Sequence, residues 1–254
     1  ETAIRFPIRL LESGPAAGAL VSGYYAGLMG IKDLVSFDMG GTTAKICLIH
    51  DGKPSLSREF EAARISRFQK GSGFALKVPA IEMIEIGAGG GSIGYIDRLG
   101  LLKVGPESSG ASPGPACYGF NGQNPTVTDA ALILGYLNPD YFLGGEMSLS
   151  IEAARRVMKG KLADPLKITV EEAAVGINKI VTENMATATR IHIAERGKDP
   201  RNYALIAFGG AGPIHADECQ AHRDIPAGVL VVLPLGSPVL RGGDARDELV
   251  FRAG

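Results

Sequence analysis

The stretch Leu34-Val35-Ser36-Phe37-Asp38-Met39-Gly40-Gly41-Thr42-Thr43-Ala44-Lys45-Ile46-Cys47-Leu48-Ile49-His50 decides the fold. Leu34 to Asp38 reads as a buried strand, Met39 to Thr43 as a glycine turn, and Ala44 to His50 as the returning strand. Asp51-Gly52 is a strong hairpin signal leading to a third strand near Ser55 to Glu61. Just before this unit, the small-residue run Ala16 to Gly30 suits a helix packed closely on a sheet. A helix laid against strands that are apolar at successive positions indicates an α/β fold.

Further along, Tyr203 to Phe208 reads as another buried strand. It ends in Gly209-Gly210-Ala211-Gly212-Pro213, and the helix that follows runs from Ile214 to Ala221, with a last strand at Val229 to Leu233. Between the two units, residues 79–97 alternate apolar and acidic side chains and pass through Gly87 to Ser92 into a strand. Gly105 to Pro125 is too rich in Gly, Pro and Ser for a regular element and reads as a long loop. Thr128 is placed to cap a helix from Asp129 to Leu137, and Ser150 a second near 151–159. The longest helix starts at Thr169, with Glu172 completing a capping box, and ends at Gly197, with Ile177, Val181, Met185, Ala188 and Ile191 on one face. Ala3 to Leu11 reads as a strand, and with Glu1 as the first residue the chain reads as part of something larger.

A hydrophobic content of 45% over 254 residues supports a packed core. The net charge of −1, from 26 basic and 27 acidic residues spread along the chain, carries no footprint for nucleic acid or acidic lipid. A small molecule or another protein is the expected partner. Cys47, Cys117 and Cys219 are odd in number and widely spaced, which fits neither a disulfide framework nor a zinc site and points to a cytoplasmic protein. No signal peptide, internal repeat or membrane-spanning run is legible.

The chemistry is expected where glycine clusters follow strands, at 38–43, 87–94, 105–122 and 209–213. Asp38 would stand at a strand end, the amides of Gly40 and Gly41 can face an anion, and the hydroxyls of Thr42 and Thr43 can bond phosphate oxygens or metal-bound water. Asp38 could then orient water around Mg²⁺, which keeps several waters and takes few carboxylates. Taken alone, the same residues also read as an ordinary hairpin turn. A second glycine run after a buried strand raises the expectation that both close on one ligand. His50, His192, His215 and His222 have no metal spacing, and Ser13 and Ser92 lack a His–Asp partner pair.

The Asp-x-Gly-Gly-Thr and Gly-Gly-x-Gly turns resemble those of the actin-like ATPases, sugar kinases and heat-shock chaperones. Leu11 to Gly18, Phe37 to Thr43, Ile86 to Ile93, Gly114 to Gly119, Pro125 to Ala130 and Ala207 to Pro213 together resemble the hydantoinase A/5-oxoprolinase family, in order over residues 5–225. The resemblance implies a ribonuclease H-like ATPase domain over residues 1–237, the second half of the actin-like fold. It implies ATP-dependent opening of a cyclic amide such as a hydantoin or 5-oxoproline, with phosphorylation of a carbonyl or enol oxygen. Related acetone and acetophenone carboxylases are the alternative, and a noncatalytic remnant that packs against a partner is a third reading.

By the same resemblance, Asp38, Gly40, Gly41, Thr42 and Thr43 form a phosphate loop with Asp38 as the catalytic carboxylate, and Gly209, Gly210, Ala211, Gly212 and Pro213 form the adenosine loop. Asp38 and Asp129 are the candidate Mg ligands, although Asp129 at a helix start equally fits a role toward the helix dipole. Many members carry an Asp and a His before the Gly-Gly-Gly run, where this chain has Glu82 and Ile84. Glu82 and Glu85 are the carboxylates left to contact substrate, against the plainer reading of a solvated strand face. The family implies a further N-terminal domain with another phosphate loop, and a hydantoinase B-type partner subunit. Pro238 to Gly254 is polar and departs from the family, as a truncation or change of reading frame would produce.

Overall fold

The computed structural model describes residues 2–5, 13–62, 71, 73–221 and 230–232. His222, most of Ala3 to Leu11 and the tail 238–254 lie outside them. Helices in chain order are α1 (Thr2–Arg5), α2 (Ser13–Met29), α3 (Val127–Ile133), α4 (Ile151–Met158), α5 (Asp164–Leu166), α6 (Val170–Ala194) and α7 (Gly212–Ala221). Strands are β1 (Asp33–Met39), β2 (Ala44–His50), β3 (Lys53–Pro54), β4 (Leu56–Ser57), β5 (Phe60–Ala62), β6 (Phe74–Leu76), β7 (Ala80–Ile81), β8 (Ile84–Ile86), β9 (Ser92–Ile96), β10 (Leu102–Ser108), β11 (Ala204–Phe208) and β12 (Leu230–Val232). The residues of the expected opening strand that are described, Ala3 to Arg5, are helical instead.

A six-stranded mixed sheet in the order β12-β11-β1-β2-β3, with β8 also on β2, forms the centre. β11 is parallel to β1 and to β12, whereas β2 is antiparallel to β1, as the glycine turn between them requires. The Asp51-Gly52 hairpin is present, with φ of 48° and 72°, the doubly positive turn whose twist matches paired strands. β1 buries side chains on both faces, which explains why apolar residues occupy successive positions around Ser36. Val35, Phe37 and Met39 join Ile46, Leu48, Leu205 and Ala207 in the larger core, while Leu34 joins Cys47, Ile49, Ile206 and Phe208 in the smaller one.

The smaller core is closed by α2, whose small residues allow a close approach. A Cβ on Gly18 would run into the Phe208 ring, and one on Gly23 would lie 2.5 Å from the Gly52 carbonyl oxygen. The larger core is closed by α3, α4, α6 and α7. α6 opens on the expected capping box, with Thr169 Oγ1 accepting from Glu172 N and the Glu172 carboxylate accepting from Thr169 N at 2.7 Å. Ile177, Val181 and Met185 are fully buried along it, each worth about 1.5–3 kcal/mol. The expected stripe departs at its end: Ile191 is 54% exposed, and the inward positions are Thr189, His192 and Ile193. Ser150 caps α4 as expected, accepting from Ala153 N at 3.1 Å. α3, however, is capped by Thr126 with Asp129 as its box partner, so it starts two residues earlier than Thr128 suggested.

Candidate functional site

β1 and β11 end side by side, with Asp38 opposite Phe208. Ligand sites of parallel α/β sheets lie beyond such strand ends. Both strands leave the sheet through the expected glycine turns, and the turns touch: Ala211 N donates to the Met39 carbonyl at 2.9 Å. Gly209 has φ +86°, and a Cβ there would lie 2.5 Å from Asp38 Oδ1, so glycine is what permits the carboxylate to lie across this loop. Gly212 and Pro213 open α7, where a proline lacking N–H is tolerated and unpaired amides favour an anion. Asp38, Gly40 to Thr43 and Gly209 to Pro213, distant in sequence, therefore share one end of the sheet.

A third glycine cluster lies against them. Gly90 N donates to the Gly40 carbonyl at 3.0 Å and Gly91 N to the Gly41 carbonyl at 2.6 Å. In a planar trans peptide the C=O and the next N–H point in opposite directions, so anchoring these two carbonyls turns the amides of Gly41 and Thr42 away from Gly90 and Gly91. Among the described residues, the amides of Gly41, Thr42 and Gly210 meet no protein acceptor, and Gly41 and Gly210 are exposed. The close approach needs glycine again: a Cβ on Gly89 would lie 2.5 Å from the Thr42 carbonyl carbon. The sequence reading brought only the 38–43 and 209–213 clusters to one ligand; the Gly89-Gly90-Gly91 run was the available signal for the third.

The carboxylates separate into distinct roles. Strand register sets Asp38 opposite Lys45, and Lys45 opposite Glu85, so these three share a row and a face of the sheet. Glu82 is tied instead to Arg196, whose Nη2 donates to Oε1 at 2.5 Å, fastening the segment before β8 to the residues just after α6. Asp129 is fully buried. It accepts from Cys117 N at 2.8 Å, Thr126 N at 3.0 Å, Thr126 Oγ1 at 2.8 Å and Ala116 N at 3.2 Å. Both its oxygens thus serve the helix start and the loop 105–125. Among the described residues, no group of three or more His, Cys, Asp or Glu side chains is arranged to hold a metal ion.

Cys47, Cys117 and Cys219 are all free and buried. Burial pushes the Cys47 thiol up to about 12, and burial with the Asp129 charge raises Cys117, so both are protonated near neutrality. His215, on α7 just past the glycine turn, is fully buried. Its Nδ1 lies 3.3 Å from Thr182 Oγ1 while Nε2 has no partner, and burial lowers its pKa to about 4. It is therefore a neutral packing histidine beside the loop. No described helix is long and apolar enough to cross a membrane.

Parallel strands ending in touching glycine turns, with free amides and one carboxylate at the mouth, define an α/β domain suited to an anionic ligand. The chain belongs to the hydantoinase/oxoprolinase family, whose model matches residues 1–234. It is 42% identical over 244 residues to the caprolactamase subunit alpha of Pseudomonas jessenii, covering 96% of this chain and 34% of that one. The structure of ATP-dependent caprolactamase from that organism superposes with a TM-score of 0.72 at 39% identity, over 87% of this chain and 30% of that one. The acetophenone carboxylase gamma subunit of Aromatoleum aromaticum is 39% identical, over 91% of this chain and 31% of its own length. Nucleotide-free acetone carboxylase gives a TM-score of 0.74 at 29% identity, over 87% of this chain and 30% of that one. The fold is the mixed sheet flanked by helices of the actin-like, ribonuclease H-like ATPases. The chain spans about a third of the length of these relatives.

Proposed function

We propose that this chain is the nucleotide-binding part of an ATP-dependent enzyme that opens a cyclic amide by phosphorylating its carbonyl oxygen. The observation that carries the reading is the meeting of the 38–43 and 209–213 turns, with the amides of Gly41, Thr42 and Gly210 left without protein acceptors. Gly41, Thr42 and Thr43 bind phosphate oxygens, and Gly209 to Pro213 lie against the nucleoside. Asp38, beside Gly209 and in a row with Lys45, fits a magnesium ion held through water: such an ion needs few carboxylates, and the hydroxyls of Thr42 and Thr43 and the phosphates complete the donor set. When bound, the ion would neutralise phosphate charge. Glu85, sharing that face, is the glutamate placed to meet substrate.

In the proposed reaction the terminal phosphoryl group moves from ATP to the amide oxygen, which converts a poor leaving group into phosphate. Water adds to the carbon, the ring nitrogen leaves as an amine, and a second water releases phosphate. One cyclic amide, one ATP and two waters thus give the amino acid, ADP and phosphate. An N-terminal region and a hydantoinase B-type subunit complete the cleft; the relatives' greater length and their designation as subunits support this. The second reading, a ketone carboxylase subunit, rests on the near-equal identity to caprolactamase and acetophenone carboxylase subunits.

The test is calorimetric titration of the chain with Mg-ATP beside Asp38→Asn. Saturable binding, weakened about tenfold by the substitution, is expected; an assembled enzyme, with the N-terminal region and the partner subunit present, that takes up no nucleotide would overturn the reading. In the assembled enzyme, stimulation of ATP turnover by a lactam or hydantoin favours the amidohydrolase, and stimulation by a ketone with bicarbonate the carboxylase.

A further inference from the structure

The two glycines whose amides hold the phosphate turn in place are themselves held from behind, at their carbonyls. Gly90 O accepts from both the backbone N and the hydroxyl of Thr128, at 2.8 and 2.9 Å. Gly91 O accepts from both the backbone N and the hydroxyl of Ser109, at 2.9 and 3.2 Å. Each glycine amide then donates forward, Gly90 to Gly40 and Gly91 to Gly41. A carbonyl shares its peptide plane with the next residue's N–H, so two chains of hydrogen bonds result: Thr128 to Gly90 O, then Gly91 N to Gly41 O; and Ser109 to Gly91 O, then Ser92 N to Gly89 O at 3.0 Å, then Gly90 N to Gly40 O.

Neither chain leaves room for a side chain at its middle link. A Cβ on Gly90 would lie 2.7 Å from Thr128 Oγ1, and one on Gly91 would lie 2.8 Å from Ser108 Oγ. Hydrogen bonds in series polarise one another, so a donor at the rear strengthens the one in front. The forward bonds fix the Gly40–Gly41 and Gly41–Thr42 peptide planes. Without them each plane is free to rotate and to present its carbonyl, instead of its N–H, to an anion.

We propose that Thr128 and Ser109 are positioning residues for phosphate binding: acting through the peptides of Gly89 to Ser92, they set the peptide orientation that aims the Gly41 and Thr42 amides at the ligand. This rests on the nucleotide reading for its ligand, and on the hydrogen-bond geometry alone for its mechanism. It also ties the phosphate turn to two other parts of the molecule. Thr128 belongs to the start of α3, and Ser109 opens the loop that Asp129 holds at Ala116 and Cys117. Movement of that loop would therefore reach the phosphate turn directly.

The experiment compares Thr128→Val, which keeps the backbone N–H and the shape but loses the hydroxyl, with Thr128→Ser, which restores it, and with Ser109→Ala. Mg-ATP affinity by calorimetry is expected to fall about five- to tenfold in Thr128→Val, as loss of one hydrogen bond in the chain predicts, and to recover in Thr128→Ser. Ser109→Ala should show a similar loss, with adenosine affinity unchanged in every variant. In amide NMR spectra without nucleotide, Thr128→Val should shift the Thr42 signal and Ser109→Ala the Gly41 signal. A folded Thr128→Val with unaltered affinity and unaltered Thr42 signal overturns the proposal, as does failure of serine to rescue. If the valine variant does not fold, Ser109→Ala decides by the same two readouts. If the unaltered assembled enzyme binds no nucleotide, the function reading fails, and the amide signals of the chain still judge the two hydrogen-bond chains.

Discussion

Helices α2 and α6 lie on opposite faces of the same sheet and differ in what they turn outward. α6 carries Glu171, Glu172, Lys179, Glu183 and Arg190 among its residues, opens on a capping box and buries one side in the larger core. α2 has no charged residue over Ser13–Met29. It packs Ala19, Ser22, Gly23 and Ala26 on the sheet and leaves Leu20, Tyr24 and Leu28 at 58%, 66% and 66% exposure. A helix apolar all round has the pattern of a buried helix, whereas α6 has that of a helix at a finished surface. The larger core is closed by elements that also fasten one another through buried hydrogen bonds. The α2 side rests on apolar contact of its small residues, with Tyr25 and Met29, against Leu34, Ile49, Ile206 and Phe208.

The sharpest way to break this contrast is to attack the buried network. Asp129→Ala removes the acceptor for the amides of Ala116, Cys117 and Thr126 and for the Thr126 hydroxyl, all in buried surroundings. Stranding several buried donors should cost roughly 3–5 kcal/mol, read as a lower midpoint in urea unfolding. A loss below about 1 kcal/mol would mean that water reaches these donors and that the network is not what holds this side together.

A smaller effect is expected from pH. The folded-state pKa of His215 is about 4, against an ordinary value of 6.5, so between these pH values the unfolded chain takes up a proton that the folded chain refuses. Stability from this group is complete above pH 6.5 and falls as the pH drops toward 4, by roughly 3 kcal/mol. His215→Leu should flatten that part of the stability profile relative to the unaltered chain. An unchanged slope would mean that His215 finds a partner or solvent as the pH falls.

What the sequence made legible follows the range of the interactions involved. The Asp51-Gly52 hairpin, the Thr169–Glu172 box and the Ser150 cap depend on residues within a turn of one another, and each formed as expected. The two-faced strands were legible because burial on both sides puts apolar residues at successive positions, with few polar interruptions. The cap of α3 was misplaced because Thr126 and Thr128 both carry hydroxyls; the spacing of Thr126 to Asp129, the same as in the α6 box, distinguishes them. Thr189 and His192 misled the stripe of α6, since polar residues there turn inward: Thr189 donates to the Met185 carbonyl and His192 meets Arg196. The pairing of Glu82 with Arg196 joins distant parts of the chain and no local pattern encodes it; the Gly89–Gly91 run was visible as a glycine cluster, but its place under the phosphate turn is a long-range contact.

The smallest expected effect tests the other helix. Leu20 and Leu28 stand two turns apart on the outward side of α2, and lysine forms helix nearly as well as leucine. If that side is open to water in the chain, Leu20→Lys and Leu28→Lys should each change stability by less than about 0.5 kcal/mol, because neither side chain gives up a packed contact. Met185→Ala, fully buried on α6, is the reference, with an expected cost of about 2–5 kcal/mol. Should the two lysines together cost more than about 2 kcal/mol in the same urea titration, burying a charge would be the cause, and the outer side of α2 would have to be covered in solution. The contrast between the helices would then be one of timing along the chain's assembly, not of finished against unfinished surface.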